Sequence, residues 1–484
     1  MGADISILDP IESRKQRRQR LFFHNYDQQV VAQYGKKQPA QSLSLHLKSR
    51  RIVGFGSNVK GQLGIGEEYV QSKLRHVHST SFGDSRQDRT RDNRSRSRSS
   101  SSNSNSDNLN DHQQQATVHL VATGGFFTIL ITGGTSPTSS ATRQQMFVAG
   151  ENNYGQLFAD PEQVSKYTSF TEVSPLDHPW LLNSGVKAIG CGRNFTIVVT
   201  GDNRIVAVGR YHNNQLGLPV MPHYPTIYRC DSPTGDGTID LVKVACSNDN
   251  AFVLTRDGHV MCAGGDLTDS APVAGYGEWR WLQDFGPNSR KHATNIVCGQ
   301  KSCAIVVSHT EVYLCRLMTG YSNTFHSVFN ASDVGSTGVK CVTCGGSEHT
   351  FAILTHESDL YMYRDGAIVR INYRQFGLPS FNIRWMDAGE QHMVFVTSNK
   401  QVYVYGDDSF GQMGEEKTTP SSMCGPLTQL NQELSSETHM DIAHVSCGAH
   451  FTILVLDETN RHGQKLWNCC LNNRLTDVTI ITQR

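Results

Sequence analysis

The chain has 484 residues, 44 basic and 44 acidic side chains, 18% charged residues overall and 43 glycines. A formal net charge of zero excludes the broad positive field that sequence-independent nucleic-acid binding needs. The length permits a large core, and the glycine content suits a turn-rich globular protein.

Residues 1–42 read as a basic, disordered arm. Met1-Gly2-Ala3-Asp4-Ile5-Ser6 fits the N-myristoylation pattern, with Gly2 as acceptor. Arg14-Lys15-Gln16-Arg17-Arg18-Gln19-Arg20 follows, with five positive charges in seven residues. One acyl chain anchors weakly and a basic run reinforces it on anionic lipid, so weak membrane contact through 1–20 is one expectation. A solvated arm or an import-receptor ligand is the other.

From 43 to 460 the chain repeats with a period of roughly fifty residues, the mark of a solenoid, array or propeller. A first pattern is clearest in Gly56-Ser57-Asn58-Val59-Lys60-Gly61-Gln62-Leu63-Gly64. It returns from Gly150, from Gly209 and from Gly406, while Gln375-Phe376-Gly377-Leu378 is a fragment of another copy. Apolar runs beginning at Ile52, Met146, Ile205, Val260, Val312, Leu360 and Val402 carry seven copies, of which the fourth, fifth and sixth have lost the motif. A second pattern, small-small-Gly-x-x-(aromatic or His)-Thr before an apolar run, begins at Gly124, Gly192, Gly346, Gly389 and Gly448. Degenerate copies at Ser247 and Gly299 bring it to seven.

The runs are short, β-branched or aromatic, and bounded by Gly, Asn and Asp, without helical periodicity, so they read as strands. Repeated short sheets hide their edges by closing radially, and the matched count predicts an all-β, seven-bladed β-propeller. Residues 79–116, rich in Ser, Arg and Asn, cannot offset their ordering entropy and read as a disordered insertion inside blade one. Leu43-Ser44-Leu45-His46-Leu47 is available as a closing strand for blade one or seven.

The paired GxNxxGQLG and CGxxHT patterns resemble the regulator of chromosome condensation family over about residues 43–460. The resemblance implies a seven-bladed RCC1-type propeller. The family's His is read at His349 and His392, with Phe127, Phe195, Asn250, Ser302 and Phe451 in the equivalent places. An imidazole at a strand end would reach a surface that a buried Phe cannot, so His349 and His392 are expected to contact a partner. The tail, 461–484, contains Leu471-Asn472-Asn473 and Asp477-Val478-Thr479 and resembles the opening of a BTB domain.

Nothing in the sequence makes a catalytic constellation, a P-loop or a cofactor site. Cys341-Val342-Thr343-Cys344 lacks the second ligand pair that structural zinc needs, so no metal is expected. Cys191, Cys246, Cys298, Cys344 and Cys447 recur at one repeat position and read as small buried apolar residues. Thirteen cysteines without a secretory or membrane-spanning stretch point to a reducing interior, cytoplasmic, with membrane-associated or nuclear placement as alternatives. The leading expectation is a non-enzymatic protein-protein interaction propeller that binds a folded protein. What the resemblance implies further is guanine-nucleotide exchange on a small GTPase of the Ran class, and the tail adds a ubiquitin-ligase adaptor as a third reading.

Overall fold

A computed structural model describes residues 50–66, 75–77, 117–133, 144–174, 176–212, 214–217, 228–230, 239–264, 279–317, 324–347, 350–364, 367–378, 383–414, 424–437 and 439–458. The chain divides into two units, Met1–Leu43 and Ser44–Arg484, and the described residues all belong to the second. Gly2, the basic run, 79–116, 43–47 and the BTB-like tail lie outside the described residues.

The seven repeats are seven four-stranded antiparallel sheets. Blade 2 runs from an inner strand, Thr117–Thr123, through Phe127–Gly133 and Gln145–Glu151 to an outer strand, Lys166–Glu172. Blades 3 to 7 repeat it, with inner strands Val186–Cys191, Leu241–Cys246, Ala293–Cys298, Val339–Cys344 and Ile383–Ala388. Blade 1 joins distant parts of the chain: Met440–Cys447 and Phe451–Glu458 supply its inner half, Arg50–Gly56 and Arg75–Val77 its outer half. Inner strands of successive blades pack in an unbroken cycle, which closes the ring. Since Arg75–Val77 ends blade 1 and Thr117–Thr123 begins blade 2, the segment 79–116 falls between two blades. This corrects the expectation that it interrupts one.

The apolar runs are continuous rather than alternating because both faces of each sheet are covered. Phe127–Gly133 is buried along its whole length. Seven apolar clusters fill the seven inter-blade interfaces, one each; Phe127 and Ile129 of blade 2, for example, meet Val198 and Val206 of blade 3. Every inner strand also carries a register shift within its first few residues, as between Leu241 and Lys243 or Ile442 and His444. Such bulges bend and twist a strand locally, which suits a sheet that must turn toward a crowded axis. Polar bridges join neighbouring inner strands there: Lys187 to Asp240, Lys243 Nζ to Asn295 Oδ1 at 2.6 Å, Arg384 Nη1 to Asp441 Oδ2 at 2.8 Å.

Candidate protein-interaction face

Both repeat patterns lie at the same end of the ring. The second forms the turn between the inner strand and its neighbour, and the first forms the loop after the third strand. The register of Phe127 opposite Gly150, Phe195 opposite Gly209 and Phe451 opposite Gly56 brings the two together. Gly56 has φ +101, and a Cβ there would lie 2.4 Å from His450 O and 2.6 Å from Phe451 Cα. Glycine is therefore required where the loop crosses the turn.

The loops of blades 1, 2 and 7 satisfy their own backbone. Asn58 Oδ1 accepts from Leu63 N at 2.8 Å, and Asn152 and Asp408 repeat the bond to Leu157 and Met413. Gln62 Oε1 accepts from Lys60 N, as Gln156 does from Tyr154 N and Gln412 from Phe410 N. The loop also latches the next blade: Thr128 Oγ1 donates to Gln62 O at 2.7 Å and Thr196 Oγ1 to Gln156 O at 2.9 Å. The Gln of one pattern and the Thr of the other are thus two halves of an inter-blade bond, which explains why the patterns occur as a pair.

At the centre of this face the turns close on one another. Gly125 N donates to Arg193 O, Asn248 N to Gln300 O and Glu390 N to Ala449 O. Glu390 Oε2 accepts from Gln300 Nε2 at 3.1 Å and lies 3.3 Å from His450 Nε2, and His450 stacks on Phe410 with ring centroids 4.3 Å apart. Farther out, burial lifts the Glu151 carboxyl above its ordinary value, against the pull of Lys60 at 3.6 Å and of Arg193. Half-exposed or exposed polar groups of both signs, among them Arg193, Lys301 and Glu390, remain on the surface. Such a face has hydrogen-bonding and charged groups to offer a partner.

The eroded copies sit on adjacent blades 4, 5 and 6. In blade 6 the loop is gone: Leu360–Arg364 and Ala367–Arg370 form a hairpin in which Arg364 pairs directly with Ala367. The second pattern is two residues longer there, since Gly345 N donates to Thr350 O where Gly448 N donates to Phe451 O. Thr350, rather than His349, therefore occupies the position of Phe451, and His349 itself lies outside the described residues.

His392 occupies the expected position, but it is fully buried. A Cβ on Gly389 would meet His392 Cε1 at 2.2 Å, just as one on Gly192 would meet Phe195 Cε1 at 2.0 Å. The imidazole folds back over its glycine as the phenyl rings do, and its Nε2 bonds Thr452 Oγ1 at 2.9 Å. Burial first, then the nearby His450, holds its pKa down to about 3. The expectation that this ring reaches a surface is corrected: it is a neutral core residue.

The recurrent cysteines are also corrected in part. Cys344 is buried, but Cys191, Cys246, Cys298 and Cys447 are half-buried and line the axial channel behind the face. Asp387 Oδ2 accepts from Cys447 N at 2.7 Å, and burial raises the Asp387 pKa to about 6. Cys341 and Cys344 are three apart on one strand and pack into different interfaces, so they face opposite sides and cannot share a ligand. Among the described residues no group of three or more His, Cys, Asp or Glu side chains is placed to hold a metal ion, and no helix is long and apolar enough to cross a membrane.

The model of the regulator of chromosome condensation (RCC1) repeat matches residues 386–412, which span the slot histidine and the loop of blade 7. The chain is 26% identical over 151 residues to the serine/threonine-protein kinase Nek9 of Mus musculus, covering 31% of this chain and 14% of that protein. It is 23% identical over 351 residues to the secretion-regulating guanine nucleotide exchange factor of Bos taurus, covering 67% of this chain and 64% of the relative. The chain thus spans less than two thirds of either. Among solved structures, Prp20p of Saccharomyces cerevisiae, described with its binding to Gsp1p and histones, matches with a TM-score of 0.61 at 14% identity, over 87% of this chain and 94% of the other. With its paired patterns and its seven sheets, the chain is a seven-bladed propeller that resembles the regulator of chromosome condensation family, whose repeat model matches one segment of it.

Proposed function

We propose that this protein works without covalent catalysis, docking a folded protein on the face that carries its glycine loops. The observation that carries this reading is the convergence of both repeat patterns on one end, where self-bonded loops surround a centre closed by turn-to-turn hydrogen bonds. A surface of this kind is preorganised for a partner whose own surface is large, and rigid loops lower the entropy lost on association.

A small GTPase is the partner class that the relatives favour, and guanine-nucleotide exchange is the more specific form of the reading. One relative is called a guanine nucleotide exchange factor, and Prp20p is described as binding Gsp1p. Exchange needs only that the propeller bind the nucleotide-free GTPase better than the loaded one, so that each ligand weakens the other. Release of a fluorescent guanine nucleotide from a panel of GTPases, with and without the propeller, tests it. Acceleration on one GTPase supports exchange. Binding of a GTPase without acceleration supports a scaffold, and neither across the panel removes the GTPase from the proposal.

A further inference from the structure

Blade 5 departs from the other blades at one pair of opposed residues. The last residue of each inner strand faces the first or second residue of the neighbouring strand across the sheet. In blades 3 and 1 these pairs are Cys191 with Thr196 and Cys447 with Thr452. Their side chains meet: Sγ and Oγ1 are 4.0 Å apart in the first and 3.6 Å in the second. The corresponding pairs are Thr123 with Thr128, Cys246 with Ala251, Cys344 with Phe351 and Ala388 with Met393 in blades 2, 4, 6 and 7. In blade 5 alone both members are cysteine, Cys298 opposite Cys303.

We propose that Cys298 and Cys303 form a peroxide-oxidisable dithiol that closes to a disulfide across the two inner strands of blade 5. Both are free thiols in this structure. Directly opposed antiparallel residues have Cα atoms about 4.5 to 5.5 Å apart, within the span of about 4.4 to 6.8 Å that a disulfide bridges. The two thiols have different access. Cys298 lines the axial channel and is half-buried, open to a molecule as small as hydrogen peroxide, whereas Cys303 is fully buried. Burial, and after it the adjoining Cys298 thiol, pushes the Cys303 pKa well above its ordinary value, so Cys303 is not the thiolate that meets the oxidant.

The chemistry closes in two steps. The Cys298 thiolate attacks one oxygen of hydrogen peroxide, the O–O bond breaks, and hydroxide leaves and is protonated to water, which makes Cys298 a sulfenic acid. The Cys303 sulfur, losing its proton, then attacks the Cys298 sulfur; the S–O bond breaks and a second water leaves. Two thiols are oxidised to one disulfide and one peroxide is reduced to two waters. The bridge would tie together the two ends of the turn that carries Gln300 and Lys301 on the loop face.

Cys315 lies opposite Cys303 on the far side and is the competing partner, with its thiol pushed up to about 12 by burial. Peroxide treatment of the full chain, blocking of remaining thiols and non-reducing digestion separates the possibilities. Trypsin cuts after Lys301, so the proposal expects the peptide ending there to be linked to the one beginning at Ser302. Further cleavage after Tyr313 should leave the link on the fragment holding Cys303. Cys303→Thr, which installs the residue of blades 1 and 3, should lose the link, and Cys315→Ala should keep it. A link retained in Cys303→Thr, a link carried by the Cys315 fragment, or wild-type Cys298 over-oxidised to sulfinic acid without any link would each overturn the proposal. The fragment assignment needs only wild-type protein, so it stands even if a variant misfolds.

Discussion

His392 shows how one side chain in a repeated slot changes the physics of the whole repeat. Unfolded, its imidazole takes up a proton near its ordinary value of about 6.5, whereas in the ring burial delays protonation to about 3. Between those values the unfolded chain binds the extra proton, so stability falls as pH falls through that window, by about 2 kcal/mol at about pH 5. His444, held down to about 4 by burial, acts in the same direction. Asp387, raised to about 6, acts against both, because its folded carboxyl takes up a proton before the unfolded one does. Replacing His392 with Phe, as in blades 1, 2 and 3, should therefore shrink the drop in melting temperature between neutral pH and pH 5. Thermal melts across that range check it, and an unchanged drop would mean that His392 is protonated in the folded ring. A core role also means that His392→Ala should lower the melting temperature itself by leaving a cavity, an effect of about 2 kcal/mol or more.

Strands and loops divide what the sequence disclosed from what it did not. The seven strand starts, the two patterns and the adjacency of the eroded copies were legible, since each depends on local apolar runs and on glycine positions. The pairing of Thr196 with the Gln156 carbonyl was not, because its partners are forty residues apart and join different blades. Nor was the burial of His392, because polar character says nothing about which way a turn folds its ring. The shift from His349 to Thr350 was hidden by a two-residue lengthening that leaves the pattern's letters in place. Gly192 illustrates the recoverable part: its backbone is not left-handed, but a Cβ would strike the Phe195 ring at 2.0 Å. Blade 4 supports the dependence, since Ser247 replaces the glycine where Asn250 replaces the aromatic ring. Gly192→Val should cost about 1–3 kcal/mol by overpacking a ring that has no free space, read as a lower denaturant midpoint. Thr196→Val should cost about 1–2 kcal/mol by leaving a buried carbonyl without its hydroxyl donor.

At the scale of the whole ring, closure rests on blade 1, where Arg50–Gly56 pairs along its length with Phe451–Glu458. A deletion through residue 56 should therefore abolish cooperative unfolding, because it exposes the second strand of blade 1 and the clusters on both its faces. Deleting 462–484 should leave the melting temperature unchanged, since the four strands of blade 1 are complete without it; a loss of stability would show that the tail packs on the ring. The central claim is that a folded partner docks on the loop face, and affinity for a captured partner, measured with charge changes confined to one face at a time, tests it most directly. Lys301 and Gln391 are exposed on the loop face, Asp202 and Asp257 on the opposite one. Lys301→Glu with Gln391→Arg should weaken binding by about tenfold or more, some 1.4 kcal/mol, while Asp202→Lys with Asp257→Lys leaves it unchanged. The reverse pattern, with binding lost only when the opposite face is altered, would contradict the account.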